Sequence, residues 1–292
     1  MTIQRMGVLA HPTRPHSAPI ADEIVAALRA RGVAVWTYHQ WDETTVIDQI
    51  AATDMVVAIG GDGAMLRAAR VCAPHGVPVL GINLGHLGFL TEIKNAEEWG
   101  AQLDTLFAGN YWIEQRMMIK VITRRDGEIL CEAEALNDAV ISRGSVTRMI
   151  RLDTYIDGYW TTTYNADALI VATATGSTAY ALACGGPILP PELRGILIVP
   201  VAPHLSLDRP IVLPAGATVE VIVSPDIQAD TVLSVDGTLL CELQSNDHVI
   251  IQAGDNISQF VRMRDRNYFY RSLLDRLEPR APEPPAPPRR HL

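Results

Sequence analysis

The stretch that most constrains the fold is Asp54-Met-Val-Val-Ala-Ile-Gly-Gly-Asp-Gly63, followed at once by Ala64-Met-Leu-Arg-Ala-Ala-Arg70. A β-rich apolar run over 54–59 ends in glycines, and residues of high helical propensity begin directly after them. This order predicts a strand, a tight turn and a helix N-terminus, which together offer backbone N–H groups to an anion. Glycine lets the backbone approach a ligand closely because no Cβ intervenes. Asp62 is the one functional side chain in the turn. A carboxylate repels phosphate unless a metal sits between them or the carboxylate is there to take a proton, and both readings point to phosphoryl transfer. An aspartate that merely caps the helix accounts for the same four residues.

Around this unit the pattern alternates. Met6–Ala10, Val33–Tyr38 and Val77–Ile82 read as further strands, and Ile20–Leu28, Ala64–Cys72 and Glu97–Phe107 as helices. Alternation of this kind implies a Rossmann-like α/β domain, expected over residues 1–108, with ligands at the carboxyl ends of parallel strands. From Tyr111 the texture changes. Trp112–Thr123, Glu128–Ile141, Ile150–Ile156, Ala168–Ala172, Gly195–Val201, Thr218–Val223 and Val232–Leu240 are β-branched and partly alternating. Asp126-Gly127, Asp157-Gly158 and Asp236-Gly237 punctuate them as turns. A β-rich domain is expected over 109–265, then a helix over 266–277 placed to return to the first domain, and a proline-rich disordered tail over 279–292.

At 292 residues the chain can bury two cores. It is 48% hydrophobic but has no run of membrane-spanning length, so a soluble protein without a membrane partner is expected. The net charge of −9 gives no support to a nucleic-acid partner, and any phosphate site must be built locally. Residues 1–12 lack the basic region and apolar segment of a secretory signal, which implies a cytoplasmic protein. The four cysteines, Cys72, Cys131, Cys184 and Cys241, are more than fifty residues apart and read as reduced, buried thiols. The two lysines, Lys94 and Lys120, stand in neither a Gly-Lys-Ser/Thr nor a Val-Ala-Ile-Lys context, so neither a P-loop nor the protein-kinase set is present.

Three further stretches carry possible chemistry. Asn83–Thr91 places His86 among glycines just past a strand end, which also reads as a surface loop. Asn137-Asp138 follows the run 131–136. An amide and a carboxylate can receive a ribose, although such a pair is often a turn. The densest stretch is Asp167–Pro187. There an apolar strand gives way to Thr173, Thr175, Gly176, Ser177 and Thr178, then to a helical stretch over 179–184 closed by Gly185-Gly186-Pro187. Capping by Ser177 or Thr175 explains it without a ligand, but two strand–loop–helix turns in one chain favour a two-substrate nucleotide site.

In order along the chain, Gly60-Gly-Asp-Gly63, Asn83–Thr91, Asn137-Asp138, Thr175-Gly-Ser-Thr-Ala-Tyr180 with Gly185-Gly-Pro187, Pro203-His204 with Arg209-Pro-Ile-Val212, and Ser234-Val-Asp-Gly237 resemble the NAD kinases. The resemblance runs from about residue 6 to residue 277. The glycine motif is shared with diacylglycerol-type lipid kinases and phosphofructokinases, whereas the 175–180 motif is far more specific. The resemblance implies an active site in a cleft between the two domains. It implies transfer of a phosphoryl group from ATP or polyphosphate to the 2′-hydroxyl of the adenosine ribose of NAD.

By the same resemblance, Asp62 is the general base, Gly63 its neighbouring backbone contact, and Arg67 faces phosphates. Phe89 lies near the adenine. Asn137, Asp138, Arg148, Asn165, Asp167, Thr175, Thr178, Ala179, Tyr180, Ala181, Leu182, Ala183 and Thr238 line the dinucleotide. Four motifs depart from the family pattern: Ala64 stands where a threonine is usual, Ala174 where a proline is, Thr238 where a glutamine is, and Asn165-Ala-Asp-Ala168 replaces an Arg/Gly-x-Asp-Gly. The resemblance also implies Mg²⁺ or another divalent cation carried with the phosphate donor, and a homo-oligomer. The alternatives are a non-catalytic NADP-binding paralogue and a lipid kinase of the diacylglycerol type. The acidic charge and the absence of a basic amphipathic segment argue against the lipid kinase.

Overall fold

The computed structural model describes residues 3–11, 13–84, 88–94, 98–144, 148–225 and 230–277. The amino-terminal part runs β1 (Arg5–Leu9), α1 (Ser17–Arg29), β2 (Ala34–Tyr38), α2 (Glu43–Ile50), β3 (Met55–Ile59), α3 (Asp62–Cys72), β4 (Val79–Ile82) and α4 (Trp99–Phe107). The strands pair in parallel in the order β2-β1-β3-β4. β3 is buried along its whole length, as a strand covered on both faces must be, and so are the last four residues of β1. α2 is not evident from apolar periodicity alone. Its start is fixed by a capping box in which Asp42 accepts the Thr45 N–H and the Thr45 hydroxyl accepts the Asp42 N–H.

The rest of the chain is β-rich. It comprises β5 (Trp112–Arg125), β6 (Glu128–Ala135), β7 (Asp138–Arg143), β8 (Ile150–Ile156), β9 (Tyr159–Ala166), β10 (Ala168–Ala172), α5 (Tyr180–Ala183), β11 (Gly195–Val201), β12 (Ile211–Pro214), β13 (Val219–Val223), β14 (Thr231–Val235), β15 (Thr238–Leu243), β16 (His248–Arg262) and α6 (Tyr268–Leu277). Six strands form one antiparallel sheet in the order β12-β11-β10-β7-β14-β15. The remaining strands extend the amino-terminal sheet, because β16 pairs with β4 at Phe260–Val79 and with β5 along most of its length. One ten-stranded sheet thus runs through both parts of the molecule. The residues of 128–141 split into two strands, and the chain leaves one sheet for the other at Leu136-Asn137.

The cores follow this layout. Met6, Val8, Val57 and Ile59 pack with Ile24 and Leu28 on one face of the parallel strands. On the other face Met65, Ala68 and Ala69 of α3 pack with Val56, Val79 and Phe260, and also with Met118 and Leu136 from the β-rich part. The two sheets of that part enclose a third core around Ile119, Ile141, Leu169, Ile198 and Val221.

Three expectations are corrected. α3 begins at Asp62 rather than Ala64, so Asp62 and Gly63 belong to its first turn. The helical stretch over 179–184 is a 3-10 turn at Gly176–Thr178 and then the four-residue α5. Cys131 of β6 and Cys241 of β15 are joined as a disulfide, so two of the four thiols are not free. The proposed tail over 279–292 lies outside the described residues.

Candidate active site

The site grows from the carboxyl ends of β1, β3 and β4. In the order β2-β1-β3-β4 the direction of connection reverses between β1 and β3, and such a switch point opens a crevice at the strand ends. His11 leaves β1 there, and Gly60 leaves β3 beside it. Gly60 has φ +152°, and a Cβ on it would stand 2.6 Å from the Ala64 Cβ and 2.9 Å from the His11 ring. Glycine is therefore required for the turn to close against His11. Burial, and then Arg14, Arg67 and His16, push the His11 pKa down. A chain of net charge −9 thus concentrates positive groups at this crevice.

Asp62 occupies the first turn of α3 behind the cap residue Gly61, where the Asp62 and Gly63 amides have no intrahelical acceptor, whereas the Ala64 N–H donates to the Gly61 carbonyl at 3.0 Å. Its carboxylate is pinned from the loop after β4: the Phe89 N–H donates at 2.8 Å and the Leu90 N–H at 2.9 Å, one to each oxygen. Each oxygen keeps a further lone pair for a hydroxyl. Gly88 makes this possible, because a Cβ there would lie 1.8 Å from Asp62 Oδ1. Gly63 is exposed beside it. Arg67, one turn on, donates to the Trp41 carbonyl at 3.1 Å, and its guanidinium stacks on the Trp41 ring at 4.8 Å. His86 lies outside the described residues.

The second half of the site forms where three strands of the antiparallel sheet end together. Ala172 of β10 pairs with Asp138 of β7, and Val235 of β14 pairs with Ala139. Asn137 accepts the Thr173 N–H at 2.8 Å, and the Thr173 hydroxyl donates to the Leu136 carbonyl at 2.5 Å. Gly176 lies so close to Asn137 that a Cβ would meet its carbonyl oxygen at 2.1 Å. Neither Thr175 nor Ser177 caps α5. Thr175 Oγ1 accepts from Arg116 at 3.4 Å, and the buried Ser177 hydroxyl donates to the Ala174 carbonyl. Thr178 donates back to the Thr175 carbonyl.

After Ala179 the chain folds back over the sheet face. Ala181 packs with Ile170, Ala172 and Val199, while Leu182 is half-buried and Ala183 and Tyr180 are exposed. This brings Tyr180 within electrostatic range of both Asp138 and Asp167, which lie at opposite ends of β10. Asp167 is itself held by Arg143 at 3.0 Å. Asp138 is buried, and burial together with the charge of Asp236 raises its pKa to about 7.

Three expected residues stand further out. Asn165 lies in β9, where its backbone bonds to His204 and Ser206. Arg148 is exposed beside residues 145–147, which are outside the description. Thr238 opens β15 on the exposed side of the Asp236-Gly237 turn. The two halves of the site meet through α3. Met65 shares a cluster with Leu136, and Arg70 Nη2 reaches to 3.7 Å from Asp236 Oδ2.

Comparison with known proteins places this arrangement. Residues 24–111 match the ATP-NAD kinase N-terminal domain, and residues 136–263 match the ATP-NAD kinase C-terminal domain. The chain belongs to the NAD kinase family. It is 38% identical to an NAD kinase of Moorella thermoacetica over 94% of this chain and 90% of that one. Against an NAD kinase of Pseudomonas fluorescens the identity is 43%, over 74% and 73% of the two chains. Among solved structures, yeast NADH kinase complexed with NADH superposes with a TM-score of 0.83 at 24% identity, covering 95% of this chain and 88% of that one. An NAD kinase from Archaeoglobus fulgidus in complex with ATP gives 0.71, also at 24% identity, over 92% and 97% of the two chains. At that identity the superpositions establish the shared fold.

Sequence reasoning missed several of the groups that hold the site together. Gly88 and Gly176 are legible as glycines, but not as the places where loops touch Asp62 and Asn137. Glu114 and Arg116 signalled themselves as opposite charges two apart, hence on one face of β5. Both are buried, in a network with Arg262 and Tyr268 behind Thr175.

Among the described residues no three His, Cys, Asp or Glu side chains converge as a metal site. These donors do not form a cage for a resident cation.

Proposed function

We propose that this chain is an NAD kinase that phosphorylates the 2′-hydroxyl of the adenosine ribose of NAD, with ATP or polyphosphate as donor. The observation that carries the reading is the Asp62 carboxylate. It is held by two loop amides at a helix N-terminus, on the same helix whose Arg70 reaches the anchor of Asn137-Asp138. Phosphoryl transfer depends on positioning and on stabilising spread negative charge. The chain has no P-loop lysine, so the first-turn amides of α3, including that of Gly63, take that task together with the positive groups at the β1 end. Arg67 acts through the local field rather than as a free arm, because Trp41 restrains it.

In the step itself Asp62 accepts the proton of the 2′-hydroxyl as its oxygen bonds to the terminal phosphorus. The bond from that phosphorus to the bridging oxygen breaks, and ADP (or shortened polyphosphate) leaves with the electron pair. A carboxylate base of this kind contributes roughly 10²–10⁴-fold. Asn137 and Asp138 receive ribose hydroxyls, and Thr175, Thr178 and the Tyr180 ring border the dinucleotide with Ala179 and residues 181–183. Phe89 sits beside the adenine. Asp167, Asn165, Arg148 and Thr238 form the outer rim.

The assay is direct. Purified protein with Mg²⁺, NAD or NADH, and ATP or polyphosphate is expected to yield NADP or NADPH, read by enzymatic cycling; absence of product with every donor refutes the reading. We propose a homo-oligomer as well, supported by the exposed apolar residues Tyr159, Trp160 and Leu205, and sedimentation at assay concentration tests it.

A further inference from the structure

We infer that Asp236 is a positioning residue for the dinucleotide: its buried carboxylate fixes the backbone and the charge of Asn137-Asp138 and ties them, through Arg70, to the helix that begins at Asp62. The inference rests on the proposed role of Asn137-Asp138 toward NAD. Asp236 Oδ1 accepts the Asn137 N–H at 2.7 Å and the Asp138 N–H at 3.3 Å, while Oδ2 accepts the Leu136 N–H at 3.0 Å. The Asp236 N–H returns a bond to the Asp138 carbonyl at 3.0 Å. Arg70, whose other arm holds Glu43 of α2 at 2.9 Å, points Nη2 at Oδ2 from 3.7 Å.

Turn chemistry alone does not require this burial, and the chain supplies its own control. Asp126-Gly127 and Asp157-Gly158 are hairpin turns with the same dipeptide and the same left-handed backbone, φ 52° and 51° against 48° at Asp236. Asp126 and Asp157 are exposed, whereas the Asp236 side chain is 1% exposed. The third turn has thus been turned inward onto the site.

Asp138 faces Asp236 from the β14–β15 turn, Arg70 beyond it from α3, and Tyr180 from α5. Asp167 lies at the far end of β10, and Arg116 of β5 lies behind Thr175. After burial, the charge of Asp236 is what opposes ionisation of Asp138. A ribose hydroxyl donates more strongly to the carboxylate than to the protonated acid, so Asp236 governs both where Asp138 stands and the pH at which it binds best.

The test is NAD affinity by calorimetry on the full chain, from about pH 5.5 to 8.5, for wild type, Asp236→Asn and Arg70→Gln. Wild-type affinity is expected to rise with pH around about 7. In Asp236→Asn the midpoint should move down by about one and the affinity at high pH should fall about tenfold. In Arg70→Gln the midpoint should move up, with about threefold weaker binding. Arg70 is partly exposed, so that variant carries the test if Asp236→Asn fails to fold. A folded variant of either kind with an unmoved midpoint and unchanged affinity overturns the inference. NADP formation by the wild type is followed in parallel. NAD binding that responds as expected without product would sink the kinase reading alone, and product with indifferent binding would sink the role of Asp236 alone.

Discussion

At the scale of single residues, Asp62 has two tasks, and they separate in experiment. As proposed base it needs a free lone pair; as a structural acceptor it holds the Phe89 and Leu90 amides. Asp62→Asn removes the charge and one of the two acceptors, so it is expected to abolish most turnover and also to loosen the loop, at about 1–3 kcal/mol for the orphaned amide before discounting for partial exposure. Turnover by cycling assay and thermal unfolding, measured on the same preparation, distinguish the two effects; full activity in a folded variant removes Asp62 from the mechanism. Gly88→Ala probes the same carboxylate without altering its chemistry. The added Cβ would overlap Asp62 Oδ1, 1.8 Å away, so the carboxylate must swing off its amides. A fall in kcat of about 10²-fold with NAD affinity near wild type is expected. Asp62 was legible because glycines isolate it between a strand and a helix. Gly88 was not, because its reason lies 26 positions away in sequence and appears only when the loop after β4 folds onto α3.

Among elements, the parallel strands and their helices were readable because each carries one period over its whole length. The losses have physical causes. β16 was missed because Gly254-Asp255-Asn256 imitates a turn inside it, where the ladder with β5 shifts register between Ala253 and Ile257. β9 was missed because Thr161, Thr162, Thr163 and Asn165 keep it polar, as suits the edge of the sheet. The loop from Thr173 to Thr178 was placed correctly after its strand, but α5 is too short for its dipole to matter, and the loop is held by side chains and by contact with Asn137. Gly176→Ala tests that contact. A Cβ would meet the Asn137 carbonyl oxygen at 2.1 Å, a backbone atom that cannot rotate away. Overpacking of this kind costs about 1–3 kcal/mol, to be read from urea unfolding, and should weaken NAD binding more than it lowers kcat. Unchanged stability and affinity would mean that the two loops move together freely.

For the molecule as a whole, the shared ten-stranded sheet and the ionic network behind it join the two parts of the chain, and two buried carboxylates with opposite tendencies give stability a definite pH profile. Burial tends to raise the pKa of Glu114, but Arg116 and Arg262 overcome that and hold it down at about 2, against an ordinary 4.5. Its contribution is therefore present above about 4.5 and is lost as pH falls towards 2. Asp138 behaves in the reverse sense. Its pKa is raised from 3.8 to about 7, so the folded state holds the proton more tightly, and stability declines as pH rises from about 4 through 7. From these two groups alone the ligand-free protein should be most stable near pH 4–5, and lose on the order of a few kcal/mol by pH 8. Asp138→Asn is expected to flatten the decline between pH 5 and 8, because an amide of the same shape has no charge to bury. Glu114→Gln should lower stability above pH 5 by roughly 3–5 kcal/mol, since it leaves the guanidiniums of Arg116 and Arg262 buried without their carboxylate, and should blunt the acid limb as well. Denaturant unfolding of wild type and both variants from about pH 3 to 8 checks the pair. If Asp138→Asn declines with pH as steeply as wild type, the slope belongs to other groups and the ionisation of Asp138 is not the cause.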